Sequence, residues 1–297
     1  MKKSAATVLL ALLCAALPVQ ADNMGEGHSM GEVRSAAMRG SAEAQYKLGQ
    51  IYANGVEVRQ DFKQAAAWYA KAAAQGHVGA QVDLGFAYAN GRGVPQNTVQ
   101  AASWYRKAAD QGSAVAQTDL GYAYANGQGV RLNPEEAATW FRKAAEQGYA
   151  SAQANMGAIY SLGLGVPKDY KIAESWLRKA ADQGNATAQY NLGVLYTEKH
   201  GLPQNFKEGA RWFRKAAEQG NADAQLSLGA LYAAGKGVPL DLVEAYQWFD
   251  LAGYAGIADG RKSRDAIAER MKPEQIEAAR KKVQSWQPSG PSDLPQP

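Results

Sequence analysis

The chain has a single cysteine, Cys14, which lies within the first 21 of its 297 residues. A fold built on residues beyond that point has no disulfide framework, no thiol nucleophile and no thiolate metal site. Histidine is almost as scarce: His28, His77 and His200 share no spacing that would gather a metal. Met24, His28 and Met30 offer at most a loose soft-metal site in a glycine-rich leader, so no cofactor or metal is expected. No segment after the first 21 residues is apolar enough to insert in a membrane. Charge of one sign is lacking too, with 32 basic and 28 acidic residues and a net charge of +4. Both signs are interspersed without a basic block, which argues against nucleic acid as a partner.

Catalytic spellings are also missing. There is no S-x-x-K, no H-E-x-x-H and no phosphate-binding loop. Gly27-His28-Ser29-Met30-Gly31 spells a nucleophile elbow, yet that motif requires a strand before it and a helix after it. A leader near the N-terminus supplies no such strand, so the chain is not expected to be an enzyme and no catalytic residue is assigned.

The N-terminus reads as an export signal over residues 1–21. Lys2 and Lys3 form a positive start, and Ala5 to Leu17 is an uncharged apolar run too short to span a bilayer. Val19-Gln20-Ala21 then provides small residues for cleavage. Leu12-Leu13 before Cys14 leaves no small residue for lipoprotein processing. A soluble periplasmic protein is expected.

The dominant signal is internal repetition. Gln45, Gln81, Gln117, Gln153, Gln189 and Gln225 are each 36 residues apart, as are Trp68, Trp104, Trp140, Trp176, Trp212 and Trp248. Tyr52 and Gly76 start two further series with the same interval. Within the first copy, Ala44, Leu48, Ile51 and Tyr52 predict a helix A over 42–54, closed by Gly55. Asp61 then opens a helix B carrying Ala65, Trp68, Tyr69 and Ala72 on one face and ending at Gly76. No alternating run of strand length appears. A helix pair this short cannot bury its apolar face alone, so the copies are expected to stack. The tryptophans keep strict phase with Ala65 and Ala72, which assigns them to the core rather than to a sugar-binding stripe. Arg106–Asp110, Arg142–Glu146, Arg178–Asp182 and Arg214–Glu218 have the spacing of surface ion pairs on helix B.

The organisation expected is a leader and N-terminal capping helix over 22–40, then six repeats over 41–256. C-terminal capping helices follow over 257–286, drawn as Asp259 to Met271 and Pro273 to Trp286. A proline-rich disordered tail covers 287–297.

The third copy reads Ala116, Leu120-Gly121, Tyr124, Gly127, Gly129-Val130, Asn133, Ala137, Trp140, Lys143-Ala144-Ala145 and Gly148. This pattern resembles the Sel1-like repeat, a relative of the tetratricopeptide repeat. Departures are local: Glu57 replaces the second loop glycine in copy one, Lys199 the first in copy five, and Leu251 the lysine in copy six. Reshaped loops are expected at the first two. The resemblance implies an all-α, right-handed α-solenoid whose concave face, lined by helix A, binds other proteins.

By that analogy the partner-binding residues are Tyr46, Gln50, Asn54, Phe86, Asn90, Tyr122, Asn126 and Tyr190. The aromatic members either anchor a partner or pack between repeats. The asparagines either hold an extended peptide or terminate helix A, and the second reading is favoured because each precedes a glycine. The family implies a protein partner, either a toxin or effector, as for an immunity protein, or an envelope protein, as for a scaffold or regulator. The chain is expected to be a monomer when free.

Overall fold

The computed structural model describes residues 29–198 and 202–289, which form two compact units. The expected export signal, Met24, His28, Lys199, His200 and the tail beyond Ser289 lie outside the described residues. Among the described residues the regular structure is entirely helical.

The first unit comprises residues up to Ala152 together with Leu164–Val166. It holds α1 (Met30–Met38), α2 (Ala42–Asn54), α3 (Phe62–Ala74), α4 (Val78–Asn90), α5 (Thr98–Asp110), α6 (Ala114–Asn126) and α7 (Pro134–Glu146). Each even-numbered helix from α2 to α6 packs on the helix after it, and α3 and α5 pack on α4 and α6. The boundaries follow from caps. Ser41 and Ser113 accept from the N–H groups of Ala44 and Ala116, and Asp61, Asn97 and Asn133 do the same for the B helices. Ser29 is an N-cap as well: its hydroxyl accepts from the N–H of Glu32, whose carboxylate accepts from the N–H of Ser29 in return. The serine of the elbow-like spelling is therefore occupied in starting α1.

The alanines explain how closely the helices approach. Ala72, Ala108 and Ala144 are fully buried, and the ring of Tyr69, Tyr105 or Phe141 lies against a helix-A glycine, Gly49, Gly85 or Gly121. A side chain at those glycines would drive into the ring. The loop glycines Gly93, Gly129, Gly165 and Gly237 are constrained differently. A Cβ on Gly93 would lie 1.9 Å from the carbonyl oxygen of Phe62, and one on Gly129 would lie 2.0 Å from that of Thr98. These four loops thus rest on the first turn of the preceding helix B.

Glu57 holds the same register in the first copy, where the preceding helix, α1, is described only from Met30. The expected reshaping does not occur: Glu57 keeps the left-handed conformation at φ 59°, close to the 77° and 72° of Gly93 and Gly129.

The second unit spans residues 153–163 and from 167 onward. It contains α9 (Tyr170–Asp182), α10 (Ala186–Thr197), α11 (Phe206–Glu218), α12 (Ala222–Ala234), α13 (Leu242–Tyr254), α14 (Ala258–Ala268) and α15 (Pro273–Ser285), while α8 (Ala150–Leu162) belongs to both units. The helix read as Asp259 to Met271 stops at Ala268, because Met271 turns inward and is buried in the terminal core. Pro273 opens α15 as expected, and Trp286 packs on the core formed by Phe249, Leu251 and Ile267. Beyond it, the N–H of Ser289 donates to the carbonyl oxygen of Glu218 at 2.7 Å.

The arginines of helix B depart from the surface-pair expectation. Arg106 donates to the hydroxyl of Tyr124, and Arg214 to that of Tyr232, each 18 residues on. Arg178 donates to Tyr196 at 2.6 Å and pairs with Glu174, not with Asp182, at 3.0 Å. Arg106, Arg178 and Arg214 thus reach the helix A that follows, and the hydroxyl of Tyr196 also donates to Glu174. The last repeat inverts the arrangement: Asp250 stands where copies two to five have arginine, and accepts from Arg264 of α14 at 2.5 Å. Two opposing carboxylates, Asp250 and Asp265, raise the pKa of Arg264 further above its usual value.

Candidate partner-binding face

The core fixes one side of each helix A. What remains is the side carrying the residues that differ from copy to copy, and there the eight candidate residues lie. Tyr46, Gln50, Phe86, Tyr122 and Tyr190 are half-buried, whereas Asn54, Asn90 and Asn126 are exposed.

None of the aromatic candidates stands alone. Tyr46 stacks on His77 with ring centres 4.4 Å apart and lies 5.8 Å from Tyr69. Its hydroxyl accepts from the side-chain amide of Gln50 at 2.9 Å. Tyr122 meets Phe141 edge-on at 5.1 Å, and in the second unit Tyr190 meets Phe213 at 5.7 Å. Phe86 lies 5.7 Å from the guanidinium of Arg92, which stacks more closely on Phe62, at 4.4 Å. Each ring is thus held by a neighbour while one side remains accessible. Among the asparagines, Asn90 donates its side-chain amide to the carbonyl oxygen of Phe86 at 3.0 Å, a local bond at the end of its helix.

Two acidic residues on this face escaped the sequence reading. Asp83 is the only charged residue of α4, and Asp119 the only one of α6. Burial pushes the Asp83 carboxyl up to about 6, even though it accepts hydrogen bonds from Tyr46 and Tyr69 and lies near His77. Burial also raises both tyrosine hydroxyls well above their usual value, with the charge of Asp83 adding to the effect. Burial alone pushes Asp119 up to about 7. The nearby Tyr149 hydroxyl is raised, first by burial and then by the Asp119 charge.

A signal for these residues was present in the repeat itself. Tyr69 and Tyr105 each precede an aspartate by 14 residues, whereas Phe141 and Leu177 precede Asn155 and Asn191 at that interval. The aspartates occur only where a phenol precedes them.

His77 completes the cluster at the first repeat. Its Nδ1 accepts from the N–H of Ala80 at 3.1 Å, capping α4, which leaves Nε2–H to donate to Glu43 at 3.1 Å. That bond holds the Glu43 carboxyl below its usual value.

The cations of the first unit lie largely elsewhere. Lys71, Lys107 and Lys143 on the B helices sit 3.8–3.9 Å over the rings of Trp68, Trp104 and Trp140. Among the described residues no group of three potential metal ligands forms, and no helix is long and apolar enough to cross a membrane.

Helix pairs recurring at 36 residues, with constant cores and a varied helix-A face, define an α-solenoid of the interaction-scaffold class. The chain belongs to the Sel1 repeat family, with repeats matching residues 42–77, 78–113, 114–149, 150–185, 186–221 and 222–257. Sel1 repeats mediate protein–protein interactions and are generally not enzymatic.

Among solved structures the chain is similar to c5321, a protective antigen present in uropathogenic Escherichia coli strains. The two are 36% identical with a TM-score of 0.78, over 87% of this chain and 56% of that one. This chain therefore spans little more than half the length of that relative. A Sel1 repeat protein from Oxalobacter formigenes is 33% identical with a TM-score of 0.70, over 75% of this chain and 89% of its own. Immunity protein Pa5087 of Pseudomonas aeruginosa is more distant, at 24% identity and a TM-score of 0.47, over 72% of this chain and 81% of its own. No curated protein matches the chain.

Proposed function

We propose that this chain is an exported protein that binds and neutralises a cognate toxin delivered into the periplasm. The observation that carries the reading is the preorganised helix-A face. Tyr46, Tyr122 and Tyr190 are each fixed against a neighbouring ring, so little side-chain freedom is lost when a partner arrives. Rigid aromatic residues with one accessible side suit a tight, specific protein contact. A protein of this kind acts by covering its target, which requires no catalytic set. The export signal read at residues 1–21 supplies the compartment.

The test is to purify the tagged full-length chain from cells grown with and without a competing strain. A stoichiometric effector enzyme, inhibited on binding, supports the proposal. An envelope sensor or assembly subunit as the stoichiometric partner would replace it with a regulatory role. Turnover by the purified chain that disappears in Ser29→Ala would overturn both.

A further inference from the structure

At the end of the sixth repeat, α13, α14 and α15 surround a half-open cavity of about 360 Å³, a size at which small-molecule sites are found. None of the eight helix-A candidates lines it. Its charged groups are unevenly matched. Arg264 serves both aspartates of the lining: it donates to Asp250 at 2.5 Å, and to Oδ1 of Asp265 at 2.9 Å through Nε and 2.7 Å through Nη2. One arginine for two carboxylates leaves a negative charge in excess. Asp265 presents it to solvent, with its side chain 68% exposed and Oδ2 unused. Arg280 of α15 is the opposite case. Its guanidinium lies beside the Tyr246 hydroxyl, yet among the described residues no carboxylate comes within ion-pair distance of it. The acid one turn before it, Glu277, is taken by Lys281 at 2.8 Å. Alongside these open charges, Ile276 and Val283 supply an apolar wall, and the Tyr254 ring is 72% exposed in the lining.

We propose that this cavity binds a free α-amino acid with an apolar side chain. The carboxylate of the ligand pairs with Arg280, its ammonium with Asp265, and its side chain lies against Ile276, Val283 and Tyr254. A guanidinium offers a carboxylate two parallel N–H donors, and both polar contacts are charge-assisted. The charges select this class over its rivals. A simple anion would answer Arg280 but add to the excess at Asp265, and a simple cation would do the reverse. A zwitterion answers both and leaves the net charge of the cavity unchanged. Asp250, whose side chain is only 8% exposed, holds Arg264 in place and stays out of reach of the ligand.

The probes are L-phenylalanine and L-leucine, titrated calorimetrically into the full-length chain up to ~20 mM, which reads dissociation constants of about 1 mM. N-acetyl-L-phenylalanine lacks the ammonium group, and L-phenylalaninamide lacks the carboxylate. Binding of either amino acid, at least ~10-fold weaker for both blocked forms and in Arg280→Gln and Asp265→Asn, supports the site. Lys281→Gln, which removes a surface cation of the same helix, should leave the affinity unchanged. No binding of either amino acid would overturn the proposal. Equal affinity of the blocked forms, equal affinity in Arg280→Gln or an equal loss in Lys281→Gln would overturn it too. Circular dichroism confirms that the variants fold. These residues take no part in the toxin-binding reading, which stands or falls on its own test.

Discussion

Gln75 donates its side-chain amide to the amide oxygen of Gln45 at 2.8 Å, and Gln45 donates in turn to the carbonyl oxygen of Ala37 at 3.1 Å. The same relay recurs as Gln111–Gln81, Gln147–Gln117, Gln183–Gln153 and Gln219–Gln189. Gln45, Gln81, Gln117 and Gln189 thus tie the end of the preceding helix to the end of the helix B in their own copy. The relay breaks at the sixth copy, where residue 255 is alanine and the amide oxygen of Gln225 is buried without a partner.

Ala255→Gln should complete that last link. An unsatisfied buried acceptor costs roughly 1–3 kcal/mol, and a restored hydrogen bond recovers about 1 kcal/mol net. The expected result is a higher urea midpoint. Gln117→Ala, which breaks an existing link inside the array, should lower it.

The loop glycines and Glu57 predict effects of opposite sign. Gly129→Ala forces a Cβ to within 2.0 Å of a backbone oxygen, so its loop must lift away from α5. A loss of at least ~1–3 kcal/mol is expected, as for other overpacked contacts. Glu57→Gly removes a left-handed non-glycine residue and should stabilise the protein by up to about 1 kcal/mol. Thermal melts of the two variants under one set of conditions would decide the matter.

Stability should depend on pH through Asp83 and Asp119. Their folded pKa values, about 6 and about 7, lie above the ordinary 3.8 of an unfolded aspartate. Between those limits the folded protein holds protons that the unfolded chain has released. The stabilisation is therefore fully present below about pH 4 and is lost as pH rises through 6 to 7. The urea midpoint should fall from pH 5 to pH 8, and Asp83→Asn/Asp119→Asn should flatten that fall. Glu43, shifted downward, acts only at the acid end and leaves this window undisturbed. A double variant with an unchanged slope would count against these carboxylates as its source.

Restoring the repeat residue at position 250 should be harmful. Asp250→Arg would set a guanidinium against Arg264, whose partner is now the buried carboxylate at 2.5 Å. A loss of about 3–5 kcal/mol is expected for breaking a buried pair, less the share that solvent recovers because Arg264 is a quarter exposed. Hydrogen exchange in α14 and α15 would show the effect first.

Much of this was legible in the sequence because one rule is written six times. The first helix A was bounded at 42–54 from Ala44, Leu48, Ile51, Tyr52 and Gly55, and the caps at Asp61 and its equivalents follow from residue type. What stayed hidden depends on how one copy meets the next. Arg106 has an acid four residues away in its own helix, yet it turns to Tyr124, whose proximity only stacking creates. Asp119 looks like any polar residue on a surface helix until its burial is known. Glu57 looked disruptive because the reason for glycine at that register, the first turn of a preceding helix B, could not be seen.

The close seating of each loop on the preceding helix B also governs how the gene can change length. Removing residues 78–113 would bring Gly129 onto Phe62 in place of Thr98, and one glycine–carbonyl junction would substitute for another. A deletion that is not a multiple of 36 would shift that register and break the junction. Recombination can thus shorten or lengthen this chain by whole units, adding or removing one strip of helix-A residues each time while the glycine–carbonyl junction is kept.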